Sequence, residues 1–100
     1  MASETFEDAL EAYRSAAESA LNDRAAEINK VVLTLDRGSK YVRIVRTYLR
    51  ASDQRSVHCF VEIATGNLLK SASWKAPAKG TRGSIYNLTN APKTGDEFYR

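Results

Sequence analysis

The residues best suited to chemistry in this 100-residue chain crowd into one stretch. Ser71 to Ser84 holds the only tryptophan, Trp74, one of two prolines, two of five glycines and three cations, Lys75, Lys79 and Arg82. A segment written only to turn the chain draws on Gly, Asn, Asp and Ser. This one adds a large aromatic and positive charge, a combination suited to contact with something flat and anionic. Tyr41, Arg43 and Lys70 extend the same chemistry upstream, together with Arg46, Tyr48 and Arg50. Proteins that hold single-stranded nucleic acid need aromatic platforms for bases, about 1–3 kcal/mol each, beside cations that track phosphates. The candidate nucleic-acid or partner-binding residues are therefore Tyr41, Arg43, Lys70, Trp74, Lys75, Lys79 and Arg82. Against this stands a plainer reading, in which the tyrosines complete the core, Trp74 pins its loop and the cations keep the surface soluble.

Other chemistries are poorly supplied. Lys79-Gly80-Thr81-Arg82-Gly83-Ser84 frees backbone N–H groups that suit a phosphate, but lacks the spacing of a P-loop, and an exposed loop is the simpler reading. His58 is the sole histidine and Cys59 the sole cysteine. Adjacent residues of a regular strand point to opposite faces, which argues against a Cys–His nucleophilic pair and against a metal site, and makes Cys59 a buried structural thiol. No Ser/His/Asp set can be assembled. The expectation is a non-enzymatic protein with no catalytic residues, no metal and no cofactor.

A chain of this length is one domain with one core. At 43% hydrophobic and 27% charged it has an ordinary globular composition, with no transmembrane run. The opening residues carry no cationic and apolar leader, so the chain is expected to stay in the cytoplasm where it is made. Its net charge of +3 hides a division. Residues 1–29 hold seven acidic against two basic side chains, a net −5, whereas residues 30–100 hold thirteen basic against five acidic, a net +8. A basic half concentrates anions around it.

The elements that must position these residues follow from periodicity. Phe6, Leu10, Tyr13, Ala17, Leu21, Ala25 and Ile28 recur at three- and four-residue steps, which predicts one amphipathic helix over 3–29, with Thr5 and Asp8 spaced as a capping box. Strands are expected at Lys30–Leu35, Lys40–Arg50, Val57–Ile63 and Leu68–Ser73. Turns are expected at Asp36–Ser39, Ala51–Gln54 and Ala64–Asn67. Val57, Cys59, Val61 and Ile63 form an apolar set opposite His58, Phe60 and Glu62. After the tryptophan loop, Ser84–Leu88 reads as a short helical turn or brief strand, and 90–100 as a mobile tail. The fold class is α+β, the helix packed on a four-stranded antiparallel meander, with the sheet and tryptophan loop spanning 30–88. The spare apolar helix surface also suits a homodimer.

The run from Thr65 to Tyr86, with Ser73-Trp74-Lys75-Ala76-Pro77-Ala78-Lys79 at its centre, resembles a segment of small, mostly uncharacterised tailed-bacteriophage proteins. Arg55–Val61 looks similar too, so that the resemblance covers about residues 40–88 and leaves out the acidic helix. It implies a viral origin and a host-cytoplasm setting, and carries no activity with it. Such small proteins bind nucleic acid or disable a host protein. The alternative to nucleic acid is accordingly a protein-interaction module or inhibitor of a host protein, using the acidic helix or Trp74 with its neighbouring Lys75 and Arg82.

Overall fold

Thr5 starts the helix. Its Oγ1 accepts from the Asp8 amide at 3.1 Å, and Glu7 and Asp8 sit in the first turn, where carboxylates favour the positive end of the helix dipole. A computed structural model describes residues 5–24, 30–88 and 91 of the chain. In it α1 runs Phe6–Arg24, and residues 3, 4 and 25–29 of the expected span lie outside the described residues. Five strands follow: β1 (Val31–Arg37), β2 (Tyr41–Tyr48), β3 (Ala51–Glu62), β4 (Asn67–Ser71) and β5 (Pro77–Ser84). They form one antiparallel sheet in the order β1-β2-β3-β4-β5, with the helix packed on it. The architecture is thus α+β, with five strands where the sequence predicts four.

The additional strand is the second half of the tryptophan segment. Ser71 pairs with Pro77, and Asn67 with Ser84, so 72–76 is a narrow turn and Lys79–Ser84 is an edge strand, neither an anion-binding loop nor a helix start. Ala72 and Ser73 both donate their amides to Ala76 O, at 3.0 and 3.1 Å. Gly66 adopts φ 76° in the β3–β4 turn, and an added Cβ would stand 2.4 Å from the Tyr86 ring, so both conformation and space demand glycine there. Residues 85–86 are a turn in which Tyr86 N donates to Ser84 Oγ at 3.1 Å. Of the expected tail only Ala91 is described, and it is buried in the core.

Leu10, Tyr13 and Ala17 of α1 meet Leu33, Val42, Ile44, Cys59, Val61 and Leu68 to make that core. Polar side chains fasten the same helix to the outer side of β1. Asn22 spans both backbone groups of Val31, accepting from its amide at 2.8 Å and donating to its carbonyl at 3.0 Å. Glu18 Oε2 accepts from Leu33 N at 2.8 Å, Arg14 donates to Leu33 O at 3.3 Å, and Glu7 pairs with Arg37 at 2.6 Å. Strand β1 is an edge, and these contacts occupy backbone groups that would otherwise invite another strand. Much of the acidity of α1 is therefore spent inside the protein.

The β2–β3 pairing contains a bulge. Ile44 faces Cys59 and Val45 faces Val57, leaving His58 as the extra residue. The apolar set read from period-two alternation is split by it. Cys59, Val61 and Ile63 pack with the helix-side core, whereas Val57 pairs with Val45 on the other face. A second shift between Thr47 and Tyr48 moves the turn to Leu49–Arg50, so Ala51 already begins β3 instead of opening a turn.

Candidate functional site

Partners directly opposite in an antiparallel ladder share a face. The face away from α1 therefore carries Asp36 and Arg43 from the first hairpin, then Tyr41, Val45, Phe60 and Leu69. Val45 is 1% and Phe60 3% exposed although neither belongs to the helix-side core, so this face is not bare. The Trp74 turn reaches it.

Arg43 fixes that turn in place. Its Nη1 donates to Trp74 O at 2.8 Å, its guanidinium carbon lies 4.7 Å from the Trp74 ring centre, and its Nη2 donates to Asp36 Oδ2. Arg55 approaches the same ring, at 5.4 Å. Two guanidiniums within cation–π range of one indole make a rigid, cationic aromatic surface. Trp74 nevertheless remains 39% exposed. Within the turn, Ser71 Oγ donates to Ser73 O at 2.9 Å and Lys75 N to Ser73 Oγ at 3.3 Å, so the segment is ordered by its own short-range bonds.

Beside Trp74 lies an open cleft of about 290 Å³, lined by the Asp36–Tyr41 turn, Arg43, Phe60 and Lys75. The Tyr41 ring meets Phe60 edge-on at 6.1 Å and 75°, and Lys40 Nζ stands 5.5 Å from its centre. Four cations and one carboxylate line this space. Arg37 is neutralised by Glu7 and Arg43 by Asp36, while Lys40 and Lys75 make no ion pair among the described residues.

The seven residues singled out by sequence divide accordingly. Tyr41, Arg43, Trp74 and Lys75 converge. Lys70 follows Leu69 on β4, and strand alternation turns it off the open face. Lys79 and Arg82 are exposed on β5, separated from β2 by two strands. Arg46 falls opposite Leu33 on the helix side, its Nε donating to Ser56 Oγ at 3.4 Å. Sequence reading missed Asp36, Ser39, Lys40, Phe60 and Arg55. The hairpin register would have found Asp36, since a turn centred on Ser39 and Lys40 sets it opposite Arg43. For Arg55 there was no signal, because the bulge decides its face.

A second polar cluster lies beneath α1. The Tyr13 hydroxyl is 3.4 Å from His58 Nε2 and 3.8 Å from Cys59 Sγ, all three residues being buried. The bulge sets His58 and Cys59 against the same tyrosine, which corrects the expectation that they face apart. Burial pushes the Cys59 thiol up to about 12, with the Tyr13 hydrogen bond acting weakly in the opposite sense. A thiol held protonated is a poor nucleophile, so proximity to His58 does not activate it. Among the described residues no group of three or more His, Cys, Asp or Glu is placed to hold a metal, and no helix is long and apolar enough to cross a membrane.

The model of a family of unknown function, DUF7717, matches residues 1–97. No curated protein and no solved structure matches the chain.

Proposed function

The chain belongs to DUF7717, a family of unknown function, and from the open face of its sheet we propose that it is a non-enzymatic binder of single-stranded nucleic acid. The observation that carries the proposal is the convergence of Trp74, Arg43, Arg55, Tyr41 and Lys75 on one face that α1 does not cover. The half-exposed Trp74 and Tyr41 rings offer surfaces to unstacked bases. Arg55, Lys40 and Lys75 neutralise phosphates on either side. A duplex hides its base faces and gains only the charge contacts. Lys70, Lys79 and Arg82 then contribute at most a general positive field, in contrast to their place in the sequence-based set.

The proposal takes up the resemblance to tailed-bacteriophage proteins. A viral chain in the host cytoplasm meets single strands wherever nucleic acid is copied. The protein-partner alternative uses the same residues, since tryptophan and arginine are the side chains that dominate interface energetics.

Fluorescence anisotropy with labelled single- and double-stranded oligonucleotides of one sequence at low salt is the test. The single strand is expected to bind more tightly, and Trp74→Ala to weaken it by about 1–3 kcal/mol. No binding of either form at low salt sinks the reading in favour of a protein partner.

A further inference from the structure

The cleft beside Trp74 is more specific than a charged track requires. Its volume of about 290 Å³ sits at the lower edge of the range of about 300–1,000 Å³ for pockets that enclose one small ligand. Its charges are also unevenly spent. Glu7 holds Arg37 through two hydrogen bonds of 2.6 and 2.9 Å, and Asp36 holds Arg43. That leaves Lys40 and Lys75, both exposed and neither ion-paired among the described residues, as two uncompensated ammonium groups on one small cavity. An internal phosphodiester carries one negative charge, whereas a phosphate monoester carries about 1.5 to 2 at pH 7. Two free cations match the monoester.

The remaining lining fits a nucleoside attached to that group. Ser39 supplies a hydroxyl able to donate to a phosphate oxygen. Tyr41 supplies an aromatic ring, backed edge-on by the buried Phe60 and so held in orientation. Arg43 forms part of the lining and at the same time binds Trp74 O, so Lys75, the next residue, is carried on a segment anchored to the cleft itself.

We propose that this cleft is a receptor for a nucleoside bearing a terminal monophosphate, either free or at the end of a strand. The proposal rests on the nucleic-acid reading and narrows it. A phosphorylated end seats in the cleft, and the strand leaves across Trp74 and Arg55.

Four ligands separate the possibilities: one short oligonucleotide with a terminal phosphate and with a terminal hydroxyl, and adenosine monophosphate against adenosine, each titrated by calorimetry into the intact protein. The phosphorylated oligonucleotide is expected to bind about tenfold or more tightly than its hydroxyl counterpart, the scale of charge-assisted contacts. The Lys40→Ala and Lys75→Ala variants, both at exposed positions, are expected to erase that ratio while Lys79→Ala keeps it. Strands that bind equally with either end overturn the cleft assignment and leave the nucleic-acid reading standing. If neither strand binds, that reading falls. In that event, binding of the monophosphate but not adenosine, lost in Lys75→Ala, upholds the cleft for a free nucleotide; no monophosphate binding overturns it as well.

Discussion

The two faces of the sheet are built from the same strands and do opposite things. Beneath α1 the core is mostly apolar, and the buried polar groups of Tyr13, His58 and Cys59 meet one another. On the other side Phe60 and Val45 are buried almost as thoroughly, on the face that the Trp74 turn reaches through Arg43. One face gains from excluding water from aliphatic groups, which is worth most to stability. Its counterpart keeps charge at the surface of a small apolar patch, which adds little to stability and suits a ligand. The charge division of the sequence follows the same logic. The helix uses Glu7 and Glu18 to close the β1 edge, and Asn22 completes that seam.

The contrast can be broken most forcefully from the helix side. Leu10 is fully buried in the core, so Leu10→Ala is expected to cost about 2–5 kcal/mol in urea unfolding. Trp74→Ala, on the exposed side, is expected to cost well under half as much. Equal losses would mean that the open face is core and not a site.

Alkaline pH probes the buried thiol. The folded pKa of Cys59 lies near 12 against an ordinary 9.0, so below pH 9 its contribution to stability is fully present. Between pH 9 and 12 the unfolded chain loses the proton while the folded one keeps it, and stability falls as pH rises. The loss approaches about 4 kcal/mol at the top of that window, at about 1.4 kcal/mol per unit. The wild-type protein should therefore show a steeper alkaline decline than Cys59→Ala. Parallel declines would place the thiol in contact with solvent.

A smaller effect is expected from Tyr13→Phe, which strips a buried hydroxyl from His58 and Cys59 without opening a large cavity. The expected cost is about 1–3 kcal/mol at neutral pH, measured by the same unfolding titration. The smallest concerns the outer strand. Lys79→Ala should leave stability within about 0.5 kcal/mol and leave the oligonucleotide affinity nearly unchanged, whereas Lys75→Ala should lower the salt slope of binding by about 0.7 for each phosphate that is no longer neutralised.

What the sequence made legible was the regular part. The stripe from Phe6 to Leu21 predicted the helix, and the run Lys40–Arg50 predicted a strand, although apolar and basic residues on both its faces did not say which one the helix covers. Strand β5 escaped notice because Pro77-Ala78-Lys79-Gly80-Thr81-Arg82-Gly83-Ser84 has no apolar alternation. Its pairing is made by backbone along an edge, and most of its middle is exposed. The bulge at His58 was equally silent, since one inserted residue leaves no mark in composition yet exchanges every side chain beyond it between faces. That single residue explains both errors around it: Val57 grouped on one face with Cys59, Val61 and Ile63, and His58 assigned away from Cys59. Half of the candidate site was legible for the converse reason. Trp74 and Lys75 were conspicuous by type, while Asp36 read as an ordinary turn residue and Lys40 as the first residue of a strand until the hairpin register set them around Arg43 and Tyr41.

Trp74 is the only tryptophan in the chain, and it stands at the centre of the proposed interface, so its own fluorescence is the most direct witness. Titration of the protein with an unlabelled single-stranded oligonucleotide should quench and shift that emission to saturation. The midpoint should move to higher concentration as salt is raised. An oligonucleotide that binds by calorimetry while Trp74 emission stays unchanged, or one that does not bind at all at low salt, would contradict the assignment of the open face.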